Sequence, residues 1–452
     1  MNENNQTNEK YIKMTTEPVE KLICSLAVPT IISMLITSFY NMADTYFVGS
    51  LGKSAVGGVG IAFPLMAVIQ AFGFFFGHGS GNFMGRELGK QNIEKAENMA
   101  ATGFFCSIIF GIFITVFGLI ICDELIYFLG ATSTIAPYAK DYLSIILLGA
   151  PYMTASFVLN NQLRFQGNAF YGMIGIASGA VTNLFLTPLF IHVFHMGVKG
   201  AALGTIISQF ISFCMLFIGT LHSGVIHIKL SRFKPNFFYL SEIIAGGSPS
   251  LFRQGLASIA TTCLNVSAKP FGDEAIAAMS IVSRVMMFAN SAVIGFGQGF
   301  QPVCGFNYGA GKFGRVKKAF WFCVKSCFIF LLIVSVFSIL NAEEIIGKFS
   351  RGDADITAIG AKAFCLQCIT MPLNAFIVLS NMLTQTIRKP VQASIIAISR
   401  QGLVFIPAVL IGSKLWQLNG IMVAQPISDV CTLFIVIVLV SGILKELNDK
   451  SD

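Results

Sequence analysis

Charge is scarce in this chain. Of 452 residues, 12% are Asp, Glu, Lys or Arg, while 54% are hydrophobic. A soluble domain carries about 25% charged residues, so a water-soluble globule is excluded. Catalytic signatures are missing as well. There is no Gly-x-Ser-x-Gly, no phosphate-binding Walker loop and no visible nucleophile–base set. Gly77-x-Gly79-x-Gly81 ends an apolar span instead of opening a helix after a strand, so it is no dinucleotide fingerprint. Cys365-x-x-Cys368 has no second ligand pair, and at helical spacing it reads as packing, so no metal is expected. No basic face on a soluble domain offers itself to nucleic acid. No short apolar run with a cleavage site precedes the first span, so no signal peptide is expected. Neither a catalytic residue nor a bound cofactor is expected, and the chain does not read as an enzyme.

What is present is apolar length. Mean hydropathy is +0.73. Runs of about 20 apolar residues mean membrane helices, because the bilayer core leaves backbone groups no other partners. Twelve spans are expected, at about 21–43, 54–80, 97–121, 134–160, 170–193, 199–221, 240–268, 274–300, 316–340, 355–382, 391–412 and 417–444.

Two stretches match at an offset of 220 residues. Pro29 pairs with Pro249, Phe76-Gly77-x-Gly79 with Phe296-Gly297-x-Gly299, Gly85 with Gly305, and Gly89 with Gly309. Pro151 pairs with Pro372 one residue off that offset. A duplicated half in an apolar chain is the signature of a two-repeat transporter. Six spans per half make the repeats parallel, with a cleft between them. The expected fold is an all-α integral membrane protein of twelve helices in two six-helix lobes around a V-shaped cleft. The expected layout is a tail at 1–20, lobes at 21–222 and 240–445, a linker at 223–239 and a tail at 446–452.

Loop charges orient the chain. One set of loops holds thirteen Lys and Arg, among them Arg86, Lys90, Arg164, Lys229, Arg315 and Lys389. The other holds six (Lys53, Lys199, Lys269, Lys348, Arg351 and Lys414) and most of the loop acids. This bias places both termini of the multi-pass chain on the inner, cytoplasmic side of its membrane.

A charge at mid-membrane costs roughly 3 kcal/mol, so each one calls for a reason. Asp44, late in the first span, has no obvious buried cation in its half. Apolar surroundings penalise its anion, which suits a group that takes up and releases a proton; Na⁺ held with neighbouring oxygens is the alternative. In the second half Arg253 and Arg400 are both candidate partners for Asp429, forming an ionic cluster, and Arg284 adds to the basic character of that lobe. Without an ATP site, transport must draw on an ion gradient or on the substrate's own. One proton falling through about 150 mV releases roughly 3.5 kcal/mol, worth a few hundred-fold accumulation.

Several segments resemble the multidrug and toxic compound extrusion (MATE) family. They are Tyr40-Asn41-x-x-Asp44, Leu163-Arg164-x-Gln166-Gly167-Asn168, Gly200-Ala201-Ala202-x-Gly204-Thr205, and Gln298-Gly299-x-Gln301-Pro302-x-x-Gly305-x-Asn307-Tyr308-Gly309. The resemblance spans nearly all of 18–445, and Arg253-Gln254 and Ser399-Arg400-Gln401-Gly402 look most like its DinF/MepA-like bacterial branch. It implies a monomeric antiporter that expels small lipophilic cations in exchange for H⁺ or Na⁺. The family's first-helix acid falls on Asp44, its fifth-helix Asn-x-x-x-Asp-Pro on Asn183 to Pro188, and its sixth-helix hydroxyl on Thr205. Thr187 stands where the family pattern has a second acid. One charge among neutral oxygens favours H⁺ over Na⁺. Tyr40, Met66, Met153, Asn160 and Met173 are the candidate substrate contacts, because aromatic and thioether groups accept varied flat cations. A lipid-linked saccharide flippase and an organic-anion or metabolite exporter are the alternatives, both served by the second-half arginines.

Overall fold

The computed structural model describes residues 3–222, 226–350 and 353–450, without the side chains of 3–7, Asn41, Met42, Thr45 and Lys53. The extreme ends of the two expected tails, residues 223–225 of the expected linker and Arg351 of the sparser charge set therefore lie outside the described residues. Among the described residues every regular element is a helix.

A helix α1 (Glu3–Thr16) occupies the polar N-terminal stretch that composition gives as a tail. The first lobe follows as α2 (Val19–Gly49), α3 (Lys53–Gly89), α4 (Ile93–Ile120), the short α5 (Cys122–Phe128), α6 (Ala136–Phe165), α7 (Ala169–Pro188) and α8 (Gly197–His222). The second repeats the plan with α9 (Phe237–Ala268), α10 (Asp273–Gly309), α11 (Phe313–Leu340), the short α12 (Ala342–Phe349), α13 (Ala354–Thr370), α14 (Leu373–Thr386), α15 (Pro390–Ile398), α16 (Phe405–Leu415) and α17 (Gln417–Asp449). Among the described residues ten helical stretches are long and apolar enough to cross a bilayer, and α13 with α14, bent by 57° at their junction, makes an eleventh. Helix α9 completes the twelve. Its 32 residues are long enough, but Glu242, Ser248, Ser250, Arg253 and Gln254 interrupt its apolar run.

The repeat is visible in backbone detail. Gly52 and Gly272 both precede a long second helix, with φ of +99° and +95°. Such angles strain any residue with a Cβ, which explains glycine at both places. In each half the fifth membrane helix passes through a single π turn, Leu189–Val193 in one and Ser399–Leu403 in the other. Proline treatment is repeated too. A helical proline frees the carbonyl four residues back. Pro151 frees the Leu147 carbonyl, which accepts from Thr115 Oγ1 at 2.6 Å. Pro372 frees the Cys368 carbonyl, which accepts from Ser335 Oγ at 2.6 Å. Thr115 and Ser335 stand 220 residues apart (335 − 115). Yet α6 runs through its proline unbroken, while the matching helix breaks into α13 and α14.

The lobes meet at the end of the bundle that carries both termini. Helix α2 crosses α10 so closely that a Cβ on Gly299 would lie 2.6 Å from Ala27, and one on Gly295 2.7 Å from Ile31. Thr30 Oγ1 donates to the Gly295 carbonyl at 2.6 Å. On the other flank α3 crosses α9, with Gly79 against Ile243 and Gly247 against Phe75. The largest hydrophobic cluster joins both halves at this end. A second cluster, at the opposite end of the first lobe, draws only on first-half residues such as Val48, Val59, Ile126, Ile146 and Val198. The lobes thus share a core at the terminal end, α2 and α10 stay in contact as far as Ser38 and Ser291 (3.2 Å), and the first-lobe cluster beyond packs by itself, which is a V-shaped cleft in outline.

Candidate functional site

Asp44 lies near the open end of α2. Its residue is 7% exposed, and Oδ1 has no hydrogen-bond partner. Helix α7 brings Asn183 and Thr187 to the same lobe interior, one helical turn apart on one face. Both are fully buried, and Asn183 Oδ1 and Nδ2 and Thr187 Oγ1 also lack partners. Helix α8 closes the group. Thr187 packs on Gly204, where a Cβ would lie 2.7 Å from its hydroxyl. The next residue, Thr205, is buried and donates to the Ala201 carbonyl at 3.0 Å. The Tyr40 and Tyr142 side chains lie near Thr205, and Gln209 lies near Tyr40. Buried polar atoms are nearly always paired, and an unpaired one costs about 1–3 kcal/mol. Unpaired oxygens on an acid, an amide and a hydroxyl in one lobe interior are a candidate socket for a cation or a proton.

Tyr40, Asp44, Asn183, Thr187 and Thr205 all lie in the first lobe, with Tyr40 near Asp44 and Thr205, and Thr187 against Gly204 beside Thr205. Tyr142 and Gln209 complete the group and carry no sequence motif that singles them out. The other candidate contacts are more dispersed. Met66 Sδ sits 3.9 Å from the Tyr142 hydroxyl, and Met153 is buried in the first-lobe cluster. Asn160 donates to the Gly172 carbonyl at 3.1 Å, holding α6 to α7, and Met173 is half-buried on α7.

The second-lobe ionic cluster needs a correction. Arg400 Nε meets Asp429 Oδ1 at 2.9 Å, and Thr370 and Gln425 also donate to that carboxylate. Arg253 takes no part; its guanidinium donates to Asn381 Oδ1 at 3.3 Å, on the face turned to the first lobe. The reason is helix phase, since Arg400 occupies the π turn that rotates it towards α17. A second network escaped the sequence. Arg164 is 2% exposed and donates to Gln298 Oε1 at 2.6 Å, to Asn161, and faces His78 Nε2 at 3.3 Å. His78 Nδ1 lies 3.0 Å from Ser250 Oγ, which accepts from Gln385 Nε2 at 2.9 Å. This polar chain runs through α6, α3, α10, α9 and α14 and so crosses between the lobes. Counting Arg164 as a loop cation hid it, because α6 continues to Phe165, five residues past the expected end of the span.

Two six-helix lobes, duplicated in sequence and joined at one end, with a buried and unpartnered acid oxygen in one of them, define a secondary membrane transporter rather than an enzyme. The chain belongs to the MatE family, whose profile matches residues 29–189 and 249–410, one block per half. It is 27% identical to the multidrug export protein MepA of Staphylococcus saprophyticus over 441 residues, 96% of each chain. It is 26% identical to MepA of Staphylococcus haemolyticus over 448 residues, 98% of each. Among solved structures, a MATE transporter in complex with MaL6 superposes with a TM-score of 0.92 at 25% identity, covering 97% of this chain and 99% of that one. An outward-facing multidrug resistance MATE transporter gives 0.91 at 25% identity, covering 97% and 98%.

Proposed function

We propose that this protein is an ion-coupled antiporter that exports small lipophilic cations across the bacterial plasma membrane, with H⁺ favoured over Na⁺. The observation that carries the reading is the buried Asp44 carboxylate with an unpartnered oxygen beside Tyr40. Protonation discharges Asp44 and removes the cost of burying an anion. A cationic substrate offers the same compensation from outside, so proton and substrate compete for one charge, which is the logic of exchange. Thr187 supports H⁺, because with one carboxylate the socket gives Na⁺ a single charge and otherwise neutral oxygens. Both termini then lie in the cytoplasm, by the excess of Lys and Arg at their end, and the cleft opens outward. The chain acts as a monomer, with the bilayer as its only required partner.

The test is ethidium efflux from proteoliposomes under an imposed pH gradient and, separately, an imposed Na⁺ gradient, for wild type and Asp44→Asn. Efflux under the pH gradient alone, lost in the variant, is the expected result. Efflux under Na⁺ alone overturns the choice of ion, and none under either gradient overturns cation export. A second reading, export of an organic anion or flipping of a lipid-linked saccharide, rests on the buried Arg164 and the half-buried Arg253, whose hydrogen-bond partners are neutral side chains. Transport of an anionic dye that survives Asp44→Asn and fails in Arg164→Gln would favour it.

A further inference from the structure

Helix α1 lies across the terminal ends of both lobes. Its last turn is held by the second lobe: Asn307 Nδ2 donates to the Met14 carbonyl at 3.0 Å, Lys312 Nζ to Thr15 at 2.9 Å, and Arg315 to the Glu17 carbonyl just beyond at 2.6 Å. On the first lobe, Lys10 Nζ donates to Asn168 Oδ1 at 2.5 Å and the Met14 thioether rests near Gly167. Under this bridge lies a cavity of about 260 Å³ between α1, the start of α2 and the turn from α6 into α7. Lys10, Lys13, Ser25, Asn168 and Tyr171 supply its polar lining, and no carboxylate is among the lining residues.

Three features point to an anion. Lys10 and Lys13 stand one turn apart and face the same space. Asn168 Nδ2, on the same wall, is buried and has no acceptor. Burial, and then the neighbouring Lys13, lowers the Lys10 ammonium to about 8, as befits a cation without a counter-charge. The position narrows the class of anion. Leu22 and Leu26, at the start of the first span, form one wall, and Phe170 and Tyr171 at the rim are 58% and 38% exposed. Aromatic rims and paired lysines at the start of an apolar span lie at headgroup depth.

We propose that this cavity binds a phosphate group, that of an acidic membrane phospholipid, through Lys10, Lys13 and Asn168. The headgroup supplies the negative charge and the acceptor oxygens that the site lacks. It also fastens α1 to the first lobe while the second lobe holds its other end.

The full-length protein is reconstituted in nanodiscs of phosphatidylcholine with a minority of phosphatidylglycerol, and retained lipids are counted by native mass spectrometry. Wild type, Lys10→Ala/Lys13→Ala, Lys10→Arg/Lys13→Arg and Lys95→Ala are compared, with and without inorganic phosphate. Each lysine near the surface is worth a factor of about five, so the double alanine variant is expected to lose phosphatidylglycerol retention roughly 25-fold. The double arginine variant keeps it, as does Lys95→Ala, which removes an exposed charge from the same end. Displacement by inorganic phosphate supports the phosphate site and overturns the lipid as its source. Equal retention of both lipids by wild type, or full retention by a folded double alanine variant, overturns the proposal.

Discussion

Arg86 on the first lobe and Glu242 on the second meet at 3.1 Å, with side chains only 8% and 3% exposed. Arg388 pairs with the other oxygen of the same carboxylate, and Arg86 also donates to the Thr386 carbonyl at 2.8 Å. One acid therefore holds two cations where the lobes meet. Removing one partner of a buried pair costs about 3–5 kcal/mol, because the other charge is left uncompensated. Glu242→Gln should lower the unfolding midpoint in detergent clearly, and Arg388→Gln much less, since its side chain is 62% exposed. Equal midpoints for Glu242→Gln and wild type would show that the pair bears no load.

Next to this pair the helices touch through glycine. A Cβ on Gly309 would lie 2.0 Å from the Arg86 carbonyl, and one on Gly89 2.2 Å from that of Phe306. Both obstacles are backbone, so the helices must part. Gly309→Ala should destabilise the terminal-end contact by about 1–3 kcal/mol, the usual cost of overpacking. Spin labels near the ends of α3 and α10 would report a longer or bimodal distance in the variant. An unchanged distance distribution would refute the claim.

Thr187 packs on Gly204 with its hydroxyl unpartnered. An aspartate there adds a second carboxylate without much change of volume. Thr187→Asp is expected to raise the share of ethidium transport that an imposed Na⁺ gradient can drive. Transport driven only by the pH gradient, at wild-type rate, would mean that the residue lies outside the coupling site.

The Arg400–Asp429 pair is buried on the acid side, where Asp429 is 2% exposed. Asp429→Asn should cost on the order of 3 kcal/mol in stability while leaving the Asp44 socket untouched. Thermal unfolding and gradient-driven transport, measured on the same preparation, would separate the two effects. Loss of transport without loss of stability would move Asp429 into the coupling machinery.

Thr115 satisfies the carbonyl that Pro151 frees. Thr115→Val keeps the shape and removes the donor, so about 1–3 kcal/mol should be lost. A matched loss is expected for Ser335→Ala. Denaturation in mild detergent would compare the two, and a null effect in both would show that water replaces the hydroxyl.

Spans were legible because hydropathy and length leave little choice in a bilayer, and the fold class followed from the 220-residue repeat. Asp44, Asn183, Thr187 and Thr205 were legible through the family motifs that carry them. The polar chain through Arg164, His78 and Ser250 was not. Each of its members sits near a span end or carries a neutral group, and sequence cannot tell a solvated end from one buried against another lobe. Sequence left Arg253 and Arg400 as alternative partners of Asp429 for a related reason, since a π turn changes helix phase without any residue-level marker. Helix α1 was read as a tail because its polar composition hides the few contacts that fix it.

The glycine crossing constrains the two copies jointly. Elsewhere the two copies differ, and Pro372 sits at a break in the helix that Pro151 leaves whole. Gly89 and Gly309 have no such freedom to differ, since each occupies the space that the other helix's main chain requires. A side chain gained by either copy would unseat both. Mutational tolerance along this chain should therefore be a property of the seam and not of either half. A deep mutational scan would show it as a joint minimum at two places 220 residues apart.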